Sequence, residues 1–256
     1  NSFINSGWKL NLVDCNDFGQ STFEHEKQNS GIFVRVGLYG AAISSHNSKH
    51  ILIEDGAQHW LSNNCKRIGH STAISFDPTK NLPGTGNGGA IVTNDDELNI
   101  WAREYQNHGK FEHNLTGTNS RMSELECAHL LVRAKYLDKW QLRRKQIVRI
   151  YNNAFNGSNH LEPLILDNEI DSHACHKYVL ISEKRDELLS KLKEDGIECK
   201  VHYDKPLHEL SCFKNERNLI ISSQASRLCK KLISLPLYPD LEDSEVQYII
   251  ERVLCH

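Results

Sequence analysis

Several features common in membrane, secreted and nucleic-acid-binding proteins are missing from this sequence of 256 residues. No apolar run approaches the ~18 residues of a membrane-spanning helix. The opening stretch, NSFINSGWKLNLVD, lacks the basic start and apolar centre of a signal peptide. A net charge of −3 shows no excess of one sign that would favour nucleic acid or an anionic membrane as a partner. We therefore expect a cytoplasmic globular protein with no membrane or nucleic-acid partner.

Cysteine and histidine are present, but not in a pattern that indicates disulfides or a metal site. The eight cysteines never form a CxxC pair, and in a chain of this length we interpret them as reduced, mostly buried thiols. His173-Ala174-Cys175-His176 is the one tight histidine cluster. Its spacing is a weak zinc signal because no second pair lies at a matching distance. We expect no metal there and a structural role at a strand edge.

Short apolar runs in the first half of the chain predict strands at 10–14, 31–38, 51–55, 72–76 and 90–93. Their short, non-alternating, β-branched sequences are typical of strands buried on both faces, as in a parallel sheet covered by helices. Acidic residues end two of these runs, at the sheet edge where open α/β folds bind ligands. The first half is therefore predicted to be an α/β domain.

Helical spacing of apolar residues from Ser123 to Phe155 predicts two consecutive helices or one long helix, followed by a turn. The remaining residues predict a smaller α+β unit. It has strands at 176–182, 197–203 and 232–237, and helices at 185–195, at 222 or 223 to 231, and from a cap at Asp243 onward. The predicted domains are 1–135, large, and 136–256, small and including the linking helix.

The most informative stretch is SFDPTKNLPGTGNGGA, in which Lys80 follows a buried strand and precedes a glycine-rich loop. A lysine forms Schiff bases when a partly desolvated pocket lowers the pKa of its amine. We expect the glycines to allow close approach of a bulky ligand and turns with positive φ. Gly84-x-Gly86-x-x-Gly89 fits a dinucleotide fingerprint only superficially, because a strand follows it where a helix is required. A Walker loop is also excluded, since the lysine precedes the glycines.

Glu54-Asp55-Gly56-Ala57-Gln58 ends another predicted buried strand. A pyridoxal phosphate (PLP) cofactor needs a carboxylate at its pyridine nitrogen, because protonation there makes the ring an electron sink. It also needs a donor near its phenolic oxygen. Asp55 and Gln58 could supply these two groups. Equally, Asp55 could cap a following helix while Gln58 lies on the surface, and the spacing does not choose between the two interpretations.

Six segments occur in the order and spacing of one family: EDGAQ, SFDPTKNL, GNGGAIVTND, TNSRMSELECAHLLVRAKYLDKWQLRR, GIECKVHYDKPLHEL and SLPLYPDL. In these segments the chain resembles the DegT/DnrJ/EryC1/StrS sugar aminotransferases over essentially its whole length. The resemblance implies an aspartate-aminotransferase-like (type I PLP) α/β fold and a homodimer with active sites at the subunit interface. It also implies transfer of an amino group from an amino acid, usually glutamate, to a nucleotide-linked keto-sugar.

Carried over by this resemblance, Lys80 is the Schiff-base lysine and Asp55 the acid that pairs with the pyridinium nitrogen. Gln58 is the glutamine near the cofactor's ring oxygen, and Ser75 supplies a hydroxyl to the phosphate. Asn119 reaches a phosphate in the neighbouring subunit.

Three further residues fall in segments that the family uses on the substrate side. His202 and Tyr203 match a His-Tyr segment, and His108 lies in a family-like QNHG sequence. A purely structural role fits His108 equally well.

Two departures from the family pattern matter. The family's phosphate-gripping turn and ring-stacking aromatic correspond to positions before residue 1, so we expect an N-terminally incomplete chain. It is then either part of a working enzyme or a catalytically silent remnant that dimerises or binds. The smaller departure is Gly37, which stands where relatives usually have histidine and touches no residue assigned to chemistry.

Overall fold

A computed structural model describes residues 2–21, 31–43, 50–110, 115–213 and 223–256 of the chain. Its contacts divide the protein into two compact units. The four-stranded unit consists of Ser30–Arg143 and Ser172–His176, and the three-stranded unit of Asn1–Asn29, Arg144–Asp171 and Lys177–His256. The predicted domain boundary at 135/136 stays a prediction. The observed units are not continuous in sequence, because the two ends of the chain contribute to one unit.

The four-stranded unit has a mainly parallel sheet. Its strands, in spatial order, are β1 (Ile32–Val36), β2 (Ile51–Asp55), β3 (Ser71–Ser75) and β4 (Gly89–Thr93). The first three are parallel, and β4 runs antiparallel to β3. Four of the five strands predicted in this half are confirmed to within two residues at each end.

The fifth predicted strand, at 10–14, is wrong. The segment contains only an isolated bridge position. Asp14 instead accepts hydrogen bonds from the backbone N–H groups of Gln224 and Ala225, at 3.1 Å each. The Asp14 carboxylate therefore caps the start of the helix that begins at Ser223, and the described segment forms no strand of a sheet.

Only one face of the four-stranded sheet is buried among the described residues. Arg35, Leu52, Glu54 and Thr72 line that face and are 1–8% exposed. The opposite face carries apolar side chains that are 36–57% exposed: Ile32, Val34, Val36, Ile51 and Ile91. The expectation of strands buried on both faces is therefore met on one face only.

Three helices accompany this sheet in sequence: α2 (Asp96–Tyr105), α3 (Glu124–Ala134) and α4 (Leu137–Phe155). The side chain of Asp95 caps α2 by accepting from the Leu98 N–H, and the Ser123 hydroxyl caps α3 by accepting from the Glu126 N–H. Of the two alternatives predicted between Ser123 and Phe155, two consecutive helices or one long helix, the structure has the first. Residues of α4 from Arg144 onward belong to the three-stranded unit.

The three-stranded unit contains an antiparallel sheet in the order β5 (Leu161–Pro163), β6 (Tyr178–Ser182) and β7 (Leu232–Leu235). Its helices are α1 (Ser2–Asn5), α5 (Arg185–Glu194), α6 (Ser223–Cys229) and α7 (Asp243–Cys255). Gly196 follows α5 with φ +77, the left-handed conformation expected of a residue that ends a helix. In none of the described residues is there a helix with the length and apolar character needed to cross a bilayer.

Three further expectations differ from the structure. The strand at 197–203 is reduced to one bridge between Lys200 and Ser234, because the Cys199 N–H bonds back to the Ile197 carbonyl in a tight turn. Glu242, and not Asp243, caps α7, since it forms a capping box with Glu245. All eight cysteines are free as expected, but Cys175 alone is buried.

Candidate functional site

Asp55 and Ser75 end two neighbouring parallel strands, at the carboxyl edge of the four-stranded sheet. Asp55 pairs with Ala73 in the register between β2 and β3. Side chains of paired residues and of residues two apart lie on the same face of a sheet. The Asp55 carboxylate and the Ser75 hydroxyl therefore project from one edge onto one face, which is the exposed face.

The Asp55 carboxylate is half-buried and held by a local bond. Its Oδ1 accepts from the Ala57 N–H at 3.1 Å, which fixes the side chain at a turn that follows the strand. Asp55 thus caps a turn, and not the following helix that one interpretation of the sequence had it cap. Its Oδ2 accepts no hydrogen bond from the described residues, so one oxygen can still accept from a ligand.

Gln58 lies half-buried after this turn, and its amide has a fixed direction. Its Oε1 accepts from the Tyr39 N–H at 2.6 Å. Because a backbone N–H can only donate, the bond assigns the oxygen end of the amide and leaves the Nε2 end as the donor. This orientation distinguishes Gln58 from a solvated surface glutamine.

Lys80 follows Ser75 in a compact turn and is half-buried. Its N–H donates to the Asp77 carbonyl at 2.9 Å, and Ser75 Oγ accepts from the Asp77 N–H at 3.2 Å. Since the hydroxyl accepts this bond, its own proton can donate to another group. The turn therefore places the lysine and the hydroxyl on one short segment beyond β3.

Glycines of the glycine-rich loop allow close contacts between backbone segments of the protein. Gly84 N–H donates to the Phe76 carbonyl at 2.6 Å, and a Cβ on Gly84 would lie 2.6 Å from that oxygen. A Cβ on Gly89 would lie 2.6 Å from the Ile74 carbonyl. None of the glycines from 84 to 89 has a positive φ. The expectation of positive-φ turns in this loop is wrong, because the glycines are required for close backbone packing.

Asn119 and His108 lie together in a paired loop of the four-stranded unit. Asn119 forms a bridge with Asn107, and the His108 N–H donates to the Thr118 carbonyl at 3.0 Å. Both side chains are exposed. No hydrogen bond between described atoms joins this loop to the residues around Lys80, so the roles predicted for these two residues stay predictions.

His202 and Tyr203 belong to the three-stranded unit. The His202 ring bonds through Nδ1 to the Ser234 hydroxyl at 2.9 Å, and Tyr203 is half exposed. Burial, aided by Lys177 and Lys200, lowers the pKa of His202 from 6.5 to about 4. The imidazole is therefore neutral at pH 7. Its predicted substrate-side role also stays a prediction.

The sequence did not reveal a buried cluster of ionisable side chains next to Asp55 in the chain, formed by Glu54, His59 and Arg67. Glu54, 1% exposed, accepts from the Ile68 N–H at 2.6 Å and from Arg67 Nη1 at 3.2 Å. Arg67 also donates to His59 Nδ1 at 3.3 Å, which leaves the ring proton on Nε2. Burial and then Arg67 lower the pKa of His59 to about 4. Alternation along β2, which sends Glu54 and Asp55 to opposite faces, was the signal that could have separated the two acids.

The histidine pair that suggested zinc has partners within the protein. His173 Nδ1 accepts from the Cys175 N–H at 2.9 Å, and His176 Nδ1 lies 3.1 Å from Asn81 Oδ1. Both rings are buried. Across the part of the chain that the structure describes, no three His, Cys, Asp or Glu residues are grouped in a way that could hold a metal ion.

Comparison with protein families gives a match to the DegT/DnrJ/EryC1/StrS aminotransferase family over residues 42–254. The chain is 34% identical over 240 residues to the pleiotropic regulatory protein of Geobacillus stearothermophilus, which covers 86% of this chain and 63% of the relative. It is 33% identical over 219 residues to a dTDP-3-amino-3,4,6-trideoxy-alpha-D-glucose transaminase of Streptomyces venezuelae, which covers 82% of this chain and 57% of the relative. The chain thus spans about three-fifths of the length of these two relatives.

A solved structure gives the same result for the fold. The DegT DnrJ EryC1 StrS aminotransferase of Brucella abortus superposes with a TM-score of 0.87 at 28% identity, covering 96% of this chain and 72% of that one. The predicted type I PLP fold is confirmed. The cofactor of this family is PLP.

Proposed function

Because the chain belongs to the DegT/DnrJ/EryC1/StrS aminotransferase family, we propose that it forms the lysine-bearing part of a PLP-dependent sugar aminotransferase. The proposed reaction moves an amino group from glutamate to a nucleotide-linked keto-sugar. The name of the Streptomyces venezuelae relative, a transaminase of a dTDP-linked sugar, supports this substrate class.

The residues present fit PLP, and the orientation of Gln58 is the observation that carries the proposal. The Tyr39 N–H occupies the oxygen end of the Gln58 amide, so its donor end can meet an anionic ring oxygen. Asp55 has an unused carboxylate oxygen on the same strand end, and the Ser75 hydroxyl retains its proton for an anion. One acceptor and two donors thus lie at the ends of two neighbouring strands and after the turn that follows one of them.

Bound PLP supplies an electron sink for negative charge that develops on the substrate carbon. The Asp55 carboxylate would hold the ring nitrogen, Gln58 Nε2 would donate to the ring oxygen, and Ser75 Oγ would donate to the phosphate. Lys80 would supply the amine that bonds the cofactor, and its Nζ would serve as general base and acid for the proton transfer. Arginine cannot replace it, because a guanidinium does not lose its proton in the working pH range.

The proposal is tested by adding PLP to the purified chain, reducing with borohydride and locating the adduct by mass spectrometry. We expect the phosphopyridoxyl group on Lys80, and its complete loss in the Lys80→Ala and Lys80→Arg variants. Lys139→Ala is the matched control, because Lys139 is an exposed lysine of the same unit. That control is expected to keep the adduct at the wild-type level.

An adduct spread over surface lysines, or one that persists in Lys80→Arg, would remove Lys80 from the mechanism. A folded wild-type chain without any adduct would favour the alternative of a catalytically silent binding module. Formation of 2-oxoglutarate from glutamate, dependent on a nucleotide-linked keto-sugar, is the corresponding test of the amino donor and acceptor. The homodimer and the cytoplasmic location stay predictions.

A further inference from the structure

A buried amide follows the candidate anchor lysine directly in sequence and is completely hydrogen-bonded. Asn81, 6% exposed, donates through Nδ2 to the Ala174 carbonyl at 2.6 Å and to Gln141 Oε1 at 3.1 Å. Its Oδ1 lies 3.1 Å from His176 Nδ1. Since both amide protons are used, Oδ1 is the accepting end and His176 Nδ1 must carry the donated proton.

The segment that receives these bonds is tied in turn to the end of β1. The Ala174 N–H donates to the Gly40 carbonyl at 2.8 Å, and the His176 N–H donates to the Tyr39 carbonyl at 3.0 Å. Gly40 has φ +106, and a Cβ there would lie 2.9 Å from the His176 nitrogen. Only glycine allows the two backbones to approach so closely. Tyr39 then orients Gln58 through its own N–H.

These bonds make one continuous path from the turn of Lys80 to the amide of Gln58. We infer that Asn81 and His176 are positioning residues, which hold the lysine and the glutamine in a fixed relation through residues 174–176 and Tyr39. The inference rests on the proposed function, because it assigns the path a purpose at the cofactor site. A reacting amine must be held to within a fraction of an ångström, and such precision requires locked supporting side chains.

A buried polar network could also serve stability alone, so the test compares two asparagines. Asn152, 1% exposed, lies in the three-stranded unit and likewise makes three hydrogen bonds: to the Ile165 carbonyl, to Asp167 and from the Tyr178 hydroxyl. Asn81→Ala and Asn152→Ala should therefore lower the melting temperature by similar amounts. Only Asn81→Ala should affect Tyr39 and Lys80.

Two measurements separate positioning from stability. Hydrogen exchange under native conditions should show the Tyr39 N–H losing about tenfold or more of its protection in Asn81→Ala and little in Asn152→Ala. With PLP added, the initial rate of borohydride-trapped adduct at Lys80 should also fall about tenfold in Asn81→Ala alone. Unchanged exchange at Tyr39 and an unchanged adduct rate in a folded Asn81→Ala variant would overturn the inference.

Two variants of His176 test the same inference if Asn81→Ala does not fold. His176→Asn retains an N–H donor near the position of Nδ1, whereas His176→Leu removes it. Recovery of Tyr39 protection and of the adduct rate in His176→Asn relative to His176→Leu supports positioning, and equal values in the two variants contradict it. If the wild-type chain forms no adduct, the proposed function fails, while the exchange data still decide whether the path couples Asn81 to Tyr39.

Discussion

The two units of the protein fill their interiors with different chemistry. In the three-stranded unit the fully buried large side chains are aromatic or aliphatic, led by Tyr151, Phe155 and Tyr178. In the described part of the four-stranded unit the large side chains below 2% exposure are a histidine and a glutamate, His59 and Glu54. Buried charge is costly unless it is paired, whereas apolar burial stabilises directly. We therefore expect apolar packing to stabilise the three-stranded unit. In the four-stranded unit, which contains Lys80, the most deeply buried large side chains are polar and lie close to Asp55 in sequence.

This difference predicts where a cavity costs most. Phe155 is fully buried, and its ring centroid lies 5.9 Å from that of Tyr151 and 6.4 Å from that of Tyr178. Phe155→Ala should lower the free energy of unfolding by about 3–5 kcal/mol, because it removes apolar contacts and leaves a cavity. Denaturant unfolding measures the change.

Leu254→Ala is the control for this substitution, since Leu254 is half exposed on α7. It should change the free energy of unfolding by less than about 1 kcal/mol. Adduct formation at Lys80 should stay normal in folded Phe155→Ala. A loss of less than about 1 kcal/mol for Phe155→Ala would contradict the view that this unit is stabilised by a tightly packed apolar core.

The difference between apolar and polar interiors also explains which elements could be predicted from the sequence. Apolar periodicity predicted α4 and the buried face of α7 because those elements are held by apolar packing, which is visible in a single sequence. It also predicted α3, although Leu125 and Leu131 of that helix are largely exposed. It failed at 197–203, where a tight turn between Ile197 and Cys199 interrupts the alternating segment. The cluster of Glu54, His59 and Arg67 was missed because bonds between polar side chains leave no periodic pattern in the sequence. Asp55, Gln58 and Lys80 were predicted as site residues because they stand near strand ends within recognisable motifs, and their roles stay predictions.

The polar interior should make the stability of the four-stranded unit depend on pH. Burial lowers the pKa of His59 from 6.5 to about 4, with Arg67 adding to the shift and Glu54 and Asp55 opposing it. Because the folded pKa lies below the unfolded one, the unfolded chain binds the proton first as pH falls. Stability from this residue is therefore nearly complete above about pH 7 and is lost toward pH 4, by about 2.4 kcal/mol between pH 7 and 4.5.

Denaturant unfolding of wild type and His59→Gln across this range measures the dependence. The readout is the slope of the free energy of unfolding against pH, because the substitution also changes packing and hence the free energy at any one pH. His202→Gln is the comparator from the other unit, since burial lowers the pKa of His202 in the same direction. Each variant should remove its own share of the slope, and a full wild-type slope in His59→Gln would show that His59 is not buried in its neutral form.

The smallest effect concerns the space that His59 fills. A Cβ on Gly37 would lie 2.2–2.4 Å from atoms of the His59 side chain, so the ring occupies the place of any side chain at position 37. Gly37→Ala should lower the free energy of unfolding by about 1–2 kcal/mol through overpacking. In a His59→Gly background, which also removes the Cβ of residue 59 at 2.4 Å, the same substitution should cost nothing or stabilise, because it refills the space. A double-mutant cycle measured by denaturant unfolding gives this coupling.

Gly196→Ala separates that effect from backbone strain. Gly196 has φ +77 and open space around it, so its substitution should cost about 1 kcal/mol in either background. An equal cost of Gly37→Ala with and without His59 would mean that the two residues do not share one space. The expected coupling would instead account for the glycine at position 37, because the His59 ring fills the space that a side chain there would need.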